Sequence, residues 1–347
     1  MQFLPNFVKF EASFLMKMDN HVKRTTLAYY LGMRVLITGG AGFIGSHLAS
    51  AYQNMGNIVT IIDNLSTGTN SNLQEFNGEL IQGDIRDSAL MDSLTARSDL
   101  VLHMAAALGV QNIMKNPLES ISTNILGSEV VLKAASKYKK RILIASTSEI
   151  YGKNPKQPLS EEDDRVIGTP QNIRWSYSDA KAIEEAMARA LNLNQELQVT
   201  TVRFFNTVGP KQTGQYGMVV PRFVQSALKG EELSVYGTGD QTRVFCHVSD
   251  AVSAVVSLLN SKSSIGDVFN VGGKGEVSIN ELANQVIKIT GSTSKIKHIS
   301  YENAYPEGYE DMQRRVPNTE KILNLTGWQP KHSLTSIIED VASYFKN

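Results

Sequence analysis

One cysteine, Cys246, occurs in 347 residues, so no disulfide can close within the chain, and a reducing compartment is the expected setting. Neither sign of charge is in excess, with 34 Lys and Arg against 34 Asp and Glu. That balance removes the electrostatic case for nucleic acid or an anionic membrane as the main partner. Long apolar runs are missing too; no stretch approaches the roughly 20 residues that span a bilayer. The sequence also has no internal repeat and no low-complexity tract. A soluble cytoplasmic protein is expected.

The first 32 residues, "MQFLPNFVKFEASFLMKMDNHVKRTTLAYYLG", lack features of their own. They have no apolar core of about 7–15 residues, as a signal peptide has, and are not Arg-rich like a transit peptide. Met33 stands directly before the first apolar strand. Residues 1–32 are expected to be an upstream extension of the reading frame or a loose arm, the alternative being a helix packed on the domain.

What is present is a steady alternation. "RVLITGG", "IVTIIDN", "ELIQGD", "DLVLHMAA" and "RILIAST" read as short buried strands, and "QVTTVRFFNTVG" as a sixth. Helical segments such as "GSHLASAYQNMG", "SALMDSLTARS", "STNILGSEVVLKAASKYK" and "YSDAKAIEEAMARALNLN" lie between them. Strand, helix, strand in succession means a parallel sheet with helices on both faces. After "NTVGP" the rhythm breaks: Gly, Pro and aromatics thicken, and the helix "INELANQVIKITG" comes later. Length allows one large domain or two modest ones.

The segment "TGGAGFIGS", residues 38–46, follows the first strand and opens a helix, with Gly39, Gly42 and Gly45 three apart. Asp63 ends the next strand, 18 residues after Gly45. This is a dinucleotide fingerprint: glycines let backbone approach a pyrophosphate at a helix N-terminus, and the carboxylate takes the ribose hydroxyls. A carboxylate there repels the extra phosphate of NADP, so NAD is expected. The fold class is therefore α/β, a Rossmann-type doubly wound parallel sheet. Residues 33–207 form the NAD-binding domain; residues 208–347 are mainly a smaller substrate-binding lobe, interleaved with the end of the first domain.

Cofactor contacts are expected from Gly39, Gly42, Phe43, Ile44 and Gly45, and from Asp63, Asn64, Ser66 and Gly68 in "DNLSTG". Asp84 and Ile85 in "GDIRD", and Ala105 and Ala106 in "HMAA", end the third and fourth strands on the same edge. Each of those two endings could equally be ordinary strand punctuation. His103, inside an apolar strand, reads as a hydrogen-bonded core residue. No metal is expected.

"WSYSDAKAIEE" sets Tyr177 and Lys181 four apart at a helix start, on one face. An ammonium beside a phenol stabilises phenolate and lowers its pKa from about 10 toward neutrality. Such a tyrosine can take a proton from a sugar hydroxyl as hydride leaves the same carbon.

In order, "TGGAGFIGS", "DNLSTG", "GDIRD", "HMAA", "STSEIYG", "YSDAK" and "RFFNTVGP" resemble the extended short-chain dehydrogenase/reductase family over residues 33 to about 345. The resemblance implies an enzyme that modifies a nucleotide-linked sugar with tightly held NAD. It implies that Thr147 orients the sugar hydroxyl, Tyr177 is the acid/base, and Lys181 also grips the nicotinamide ribose. Ser148 and Val220 would border the substrate. Asn206, with Tyr236 and Arg243 of "YGTGDQTRVF", would hold the diphosphate of a UDP-sugar. Relatives commonly dimerise through a four-helix bundle; here the helices would be "STNILGSEVVLKAASKYK" and "YSDAKAIEEAMARALNLN".

Members of this family first oxidise carbon 4 of the sugar and differ in the steps after that oxidation. The tripeptide Thr147-Ser148-Glu149 resembles that of UDP-glucuronate decarboxylases (UDP-xylose synthases), as do "QTRVF" and "QRRVP". It lacks the aspartic acid that 4,6-dehydratases use to protonate a departing hydroxyl, and serine is a poor donor for that task. By that resemblance Glu149 and Arg315 lie beside carbon 5, although Arg315 could instead bind pyrophosphate, and Glu149 could be a solvated strand-end carboxylate. Asn318 stands where relatives commonly have aspartate, and Val316 where decarboxylases commonly have lysine. Decarboxylation of UDP-glucuronate is the first reading and 4-epimerisation of a UDP-sugar the alternative. Dehydration, or an NAD and nucleotide-sugar binding module without turnover, comes after these. A chain that begins at Met33 is expected to keep the melting temperature of the full chain by calorimetry; a large fall would show that residues 1–32 pack on the fold.

Overall fold

β1 (Arg34–Thr38), β2 (Ile58–Asp63), β3 (Glu79–Gln82), β4 (Leu100–His103), β5 (Arg141–Thr147) and β6 (Val199–Phe204) form where the apolar runs predict strands. The computed structural model describes residues 32–107, 109, 113, 116–214, 218–304 and 310–346. It adds a seventh strand, β7 (Val268–Val271), which pairs with β6. The sheet order is β7-β6-β5-β4-β1-β2-β3, with every pairing parallel. The expected doubly wound sheet is therefore present. β3 departs from expectation, being an edge strand with most of its side chains exposed.

Alternation along β1 divides two cores. Val35 and Ile37 face one way and pack with Leu48 and Tyr52 of the 43–54 helix and Val255 and Leu258 of the 248–260 helix. Leu36 faces the other way, with Met91, Leu94, Val131 and Leu132. A period of two sends successive side chains to opposite faces, and burial of both faces explains the unbroken apolar runs.

The segment 122–139, expected as one helix, is broken. Pro117–Ser122 is helical, Thr123–Gly127 forms a π turn, and Ser128–Lys137 resumes the α-helix. Two local demands meet in the π turn. Asn124, fully buried, accepts from the Ala107 N–H at 2.8 Å and donates to the Ala107 carbonyl at 2.9 Å, pinning the loop after β4. Gly127 lies against Ile85, where an added Cβ would sit 2.4 Å from its Cδ1. The 176–195 helix is tied to β6 by Arg203, which donates to both Glu185 carboxylate oxygens at 2.9 and 2.7 Å.

Past residue 208 the chain builds a separate apolar cluster from helices 219–229, 279–290 and 334–346, with Phe223, Leu282, Val286 and Val341 inside. Helix 279–290 starts at a capping box between Ser278 and Glu281. Between these pieces the chain returns to the sheet. The 248–260 helix and β7 belong to it, and Ile322 and Trp328 pack in the first core. Asp250 joins the two regions: its Oδ2 accepts from the Lys331 and His332 N–H groups, each at 3.0 Å. The expected arm lies outside the described residues except for Gly32. Among the described residues no helix is long and apolar enough to cross a membrane.

Candidate active site

The strand order reverses between β1 and β4, which opens a crevice at their carboxyl ends. The glycine turn fills its floor. Gly39 has φ +67° and its Cβ would lie 2.6 Å from the Ala105 backbone; at Gly45 a Cβ would meet the Gly39 carbonyl at 2.2 Å. Only glycine fits those two positions. Asp63, 7% exposed, is held by the Ala41 N–H on Oδ2 at 2.9 Å and the Leu65 N–H on Oδ1 at 2.8 Å. Two carboxylate oxygens offer about four acceptor positions, so lone pairs remain for a ribose diol.

A cavity of about 710 Å³ runs from this turn past Thr147 and Tyr177 to Tyr236 and Arg243. The donors, the glycine cradle and Asp63 fit NAD. Gly42, Phe43, Ile44, Asn64, Ser66, Ile85, Ala105 and Ala106 line it as expected. Gly68 and Asp84 do not. Gly68 packs behind Asp63, where a Cβ would stand 3.0 Å from Oδ2. The Asp84 carboxylate is turned to Arg86 at 2.6 Å, and that hydrogen bond is the main cause of its lowered pKa.

Tyr177 lines the cavity near Thr147, whose hydroxyl bonds to it. Lys181 does not line it. Its Nζ donates to Glu184 Oε2 at 2.7 Å, and both side chains are buried. The expectation that the ammonium draws the phenol toward neutrality is corrected here. Burial first, then the charges of Glu184 and Glu149, push the Tyr177 pKa upward, and the Thr147 hydrogen bond opposes them. His103 is the core residue expected, fully buried between Thr38 Oγ1 at 2.7 Å and Ser128 Oγ at 2.9 Å.

Glu149 is not a solvated carboxylate. Arg174 Nη2 donates to its Oε2 at 2.6 Å, and Arg315 Nη1 donates to Oε1. Burial alone would raise its pKa; attraction to Arg174, then Arg315, with their hydrogen bonds, overcomes that and holds it at about 2. Arg315 Nη2 also donates to Asn206 Oδ1 at 3.1 Å. Ser148, Asn206 and Val220 line the same space. At the far end Arg243 pairs with Asp311 at 2.8 Å, and the Arg222 guanidinium stacks 4.3 Å from the Tyr236 ring centre.

Sequence reasoning missed Arg174 and Glu184. Each had one available signal, its helical spacing from the motif: Arg174 stands three residues before Tyr177, and Glu184 three after Lys181. Neither spacing discloses a partner from a distant strand.

Among the described residues His247, His332 and Asp340 bring three ligand atoms within 4.8 Å of one another. The two rings stack, with centroids 4.2 Å apart and planes inclined by 26°. Lone pairs lie in the ring planes, so rings this close to parallel cannot both aim at one ion. His247 Nδ1 also accepts the Ser249 N–H at 3.2 Å, which leaves Nε2 carrying the proton. Through that bond His247 caps the 248–260 helix.

The family model described as "NAD dependent epimerase/dehydratase family" matches residues 35–272. The chain is 42% identical over 316 residues to the UDP-N-acetyl-alpha-D-glucosaminuronate decarboxylase of Bacillus cytotoxicus, covering 90% of this chain and 98% of that one. It is 36% identical over 317 residues to UDP-glucuronic acid decarboxylase 1 of Xenopus tropicalis, covering 90% and 72%. Among solved structures, UDP-glucuronic acid 4-epimerase from Bacillus cereus, in complex with UDP-glucuronic acid and NAD, superposes with a TM-score of 0.82. The identity is 27%, with 90% of this chain and 99% of that one covered.

Asp63→Ala is expected to weaken NAD binding by about ten- to a hundredfold, the worth of hydrogen bonds to a charged group. Calorimetric titration checks this. Unchanged affinity, or NADP as the tighter ligand, would mean the ribose contact is elsewhere.

Proposed function

Because the chain belongs to the NAD dependent epimerase/dehydratase family, we propose that it oxidises carbon 4 of a UDP-linked uronate and then decarboxylates it. UDP-glucuronate, which would give UDP-xylose, is the first substrate; its 2-acetamido analogue, named for the Bacillus relative, is the second. The observation that carries the reading is Glu149 held between Arg174 and Arg315 in the cavity wall. Two guanidiniums in the cavity wall suit a sugar carboxylate, which a planar donor pair can hold.

NAD, held by the glycine turn and Asp63, would supply the hydride acceptor and donor for carbon 4. The chain supplies the rest. Thr147 orients the carbon 4 hydroxyl and Tyr177 takes its proton, while Lys181 stays buried on the same helix, bound to Glu184. The oxidised sugar is a β-keto acid, which loses carbon dioxide because the departing bond's electrons pass into the neighbouring ketone. The guanidiniums of Arg174 and Arg315 orient the carboxylate and stabilise the enolate that forms. With its pKa near 2, Glu149 stays anionic at neutral pH and fixes both guanidiniums. In this arrangement it does not donate the proton that carbon 5 takes up; a guanidinium or an admitted water does. Tyr177 then returns its proton to the carbon 4 oxygen.

A second reading, 4-epimerisation of UDP-glucuronate, is supported by the likeness to the Bacillus cereus epimerase. The first reading makes the protein a lyase, the second an isomerase. A cytoplasmic location suits a chain whose lone cysteine is buried and unpaired. We also place a homodimer contact on the 117–137 and 176–195 segments. There Leu118, Ile121, Leu126 and Ile183 are exposed on adjoining helices, an apolar surface suited to a four-helix bundle.

Carbon dioxide release from UDP-glucuronate or its 2-acetamido analogue is the direct test; a galacto isomer without carbon dioxide would establish the epimerase instead. Glu149→Gln is expected to retain oxidation but slow the later step at least tenfold, so that NADH absorbance builds up. Tyr177→Phe removes the first proton acceptor and is expected to lower turnover by about a hundredfold or more without NADH build-up. Light scattering at micromolar concentration is expected to give twice the chain mass, and a monomer mass would rule out the bundle.

A further inference from the structure

After β6 the chain reaches back to the cofactor half of the cavity through residues 209–213, and two ties hold it there. Lys211 Nζ donates to the Asn72 carbonyl at 2.8 Å, and His47 Nε2 donates to the Pro210 carbonyl at 2.9 Å. Asn72 belongs to the 70–73 turn after β2, and His47 to the 43–54 helix that the glycine turn opens. Lys211 and Asn72 both line the cavity. Asn72 Nδ2 in turn donates to the Ala41 carbonyl at 2.9 Å, and the Ala41 N–H donates to Asp63. The ammonium is thus linked, through Asn72 and Ala41, to the carboxylate that suits the ribose. On the other side, Gln212 Nε2 donates to the Thr207 carbonyl at 3.0 Å and anchors the loop to the chain leaving β6.

Packing alone does not account for Lys211. Its φ of +69° lies in the left-handed region, which is costly for a residue with a Cβ. Its side chain is half-buried and, among the described residues, forms no ion pair; its hydrogen bond goes to a neutral carbonyl. An apolar side chain would fill the place without desolvating a charge. Strain and desolvation are both tolerated where one bond joins the two walls of the cavity.

We propose that Lys211 is a positioning residue that clasps the 209–213 loop to the 70–73 turn across the cofactor half of the cavity and so slows the exchange of NAD. The use of that clasp rests on the reading that hydride leaves carbon 4 and returns within one turnover. Reduced cofactor that departed between the two transfers would strand a keto-sugar, so retention counts for more here than in an enzyme that releases NADH as a product.

A bond between two parts of the chain retards entry and departure of the cofactor alike, whereas a direct contact with the cofactor slows departure only. The two roles separate in an exchange experiment on the holoprotein. Protein loaded with adenine-labelled NAD is chased with excess unlabelled NAD, and the label retained is followed with time. Relative affinity is read from the partition of labelled NAD between wild type and variant, one of them carrying an affinity tag. Lys211→Met is expected to release the label about tenfold faster while the partition stays within about threefold of even, the faster release being the lower end for loss of a hydrogen bond from a charged group. Lys211→Arg, which keeps a donor, is expected to release it at close to the wild-type rate. Unchanged release in Lys211→Met overturns the proposal. So does faster release matched by an equal loss in the partition, which would make Lys211 a direct cofactor ligand. If Lys211→Met does not fold, His47→Leu, which removes the other tie, decides by the same rule. No sugar is present, so the result is independent of whether carbon dioxide is released.

Discussion

Both faces of a seven-stranded parallel sheet are covered by helices, and this leaves chemistry one place to happen. Polar side chains cannot be spent on either face without unpaired groups in the core. The carboxyl edge is where backbone donors end, loops begin and water can be displaced. Reversal of strand order between β1 and β4 opens that edge into a crevice, and the candidate site is hung around it: the glycine turn after β1, Asp63 after β2, the Asn124-pinned loop after β4 and the Thr147 turn after β5.

Several charges in and behind the cavity wall are paired. Lys181 is balanced by Glu184, Arg203 by Glu185 and Arg243 by Asp311, each within 2.8 Å. Glu149 is held between Arg174 and Arg315 in the cavity wall. Two guanidiniums at the end where the sugar would lie suit a sugar carboxylate.

The second lobe closes the crevice without being an independent unit. Asp250 fastens the chain entering the last helix to a helix of the sheet, and β7 returns to pair with β6 after the lobe has begun. Tyr236 and Arg243 are thereby fixed in position relative to Tyr177 through packed elements. A loose tether could not hold a nucleotide and a reacting carbon at one spacing.

Local chemistry made much of this legible in the sequence. Apolar runs marked the leading strands, and in all but the exposed edge strand β3 burial on both faces leaves no other pattern. The spacing of Gly39, Gly42 and Gly45 identified the turn because no side chain fits there, and the distance to Asp63 is set by one helix and one strand. Tertiary structure decided what depends on partners far along the chain. Glu149 lies 25 residues from Arg174 and 166 from Arg315, and only the contacts with both keep the carboxylate an anion. β7 was hidden because its four residues gain their meaning from pairing with β6 across the intervening lobe. For Lys181, helical spacing settled only that it shares the Tyr177 face. A buried carboxylate one turn further on accepts its hydrogen bond instead, because an ammonium taken out of water needs the nearest full counter-charge.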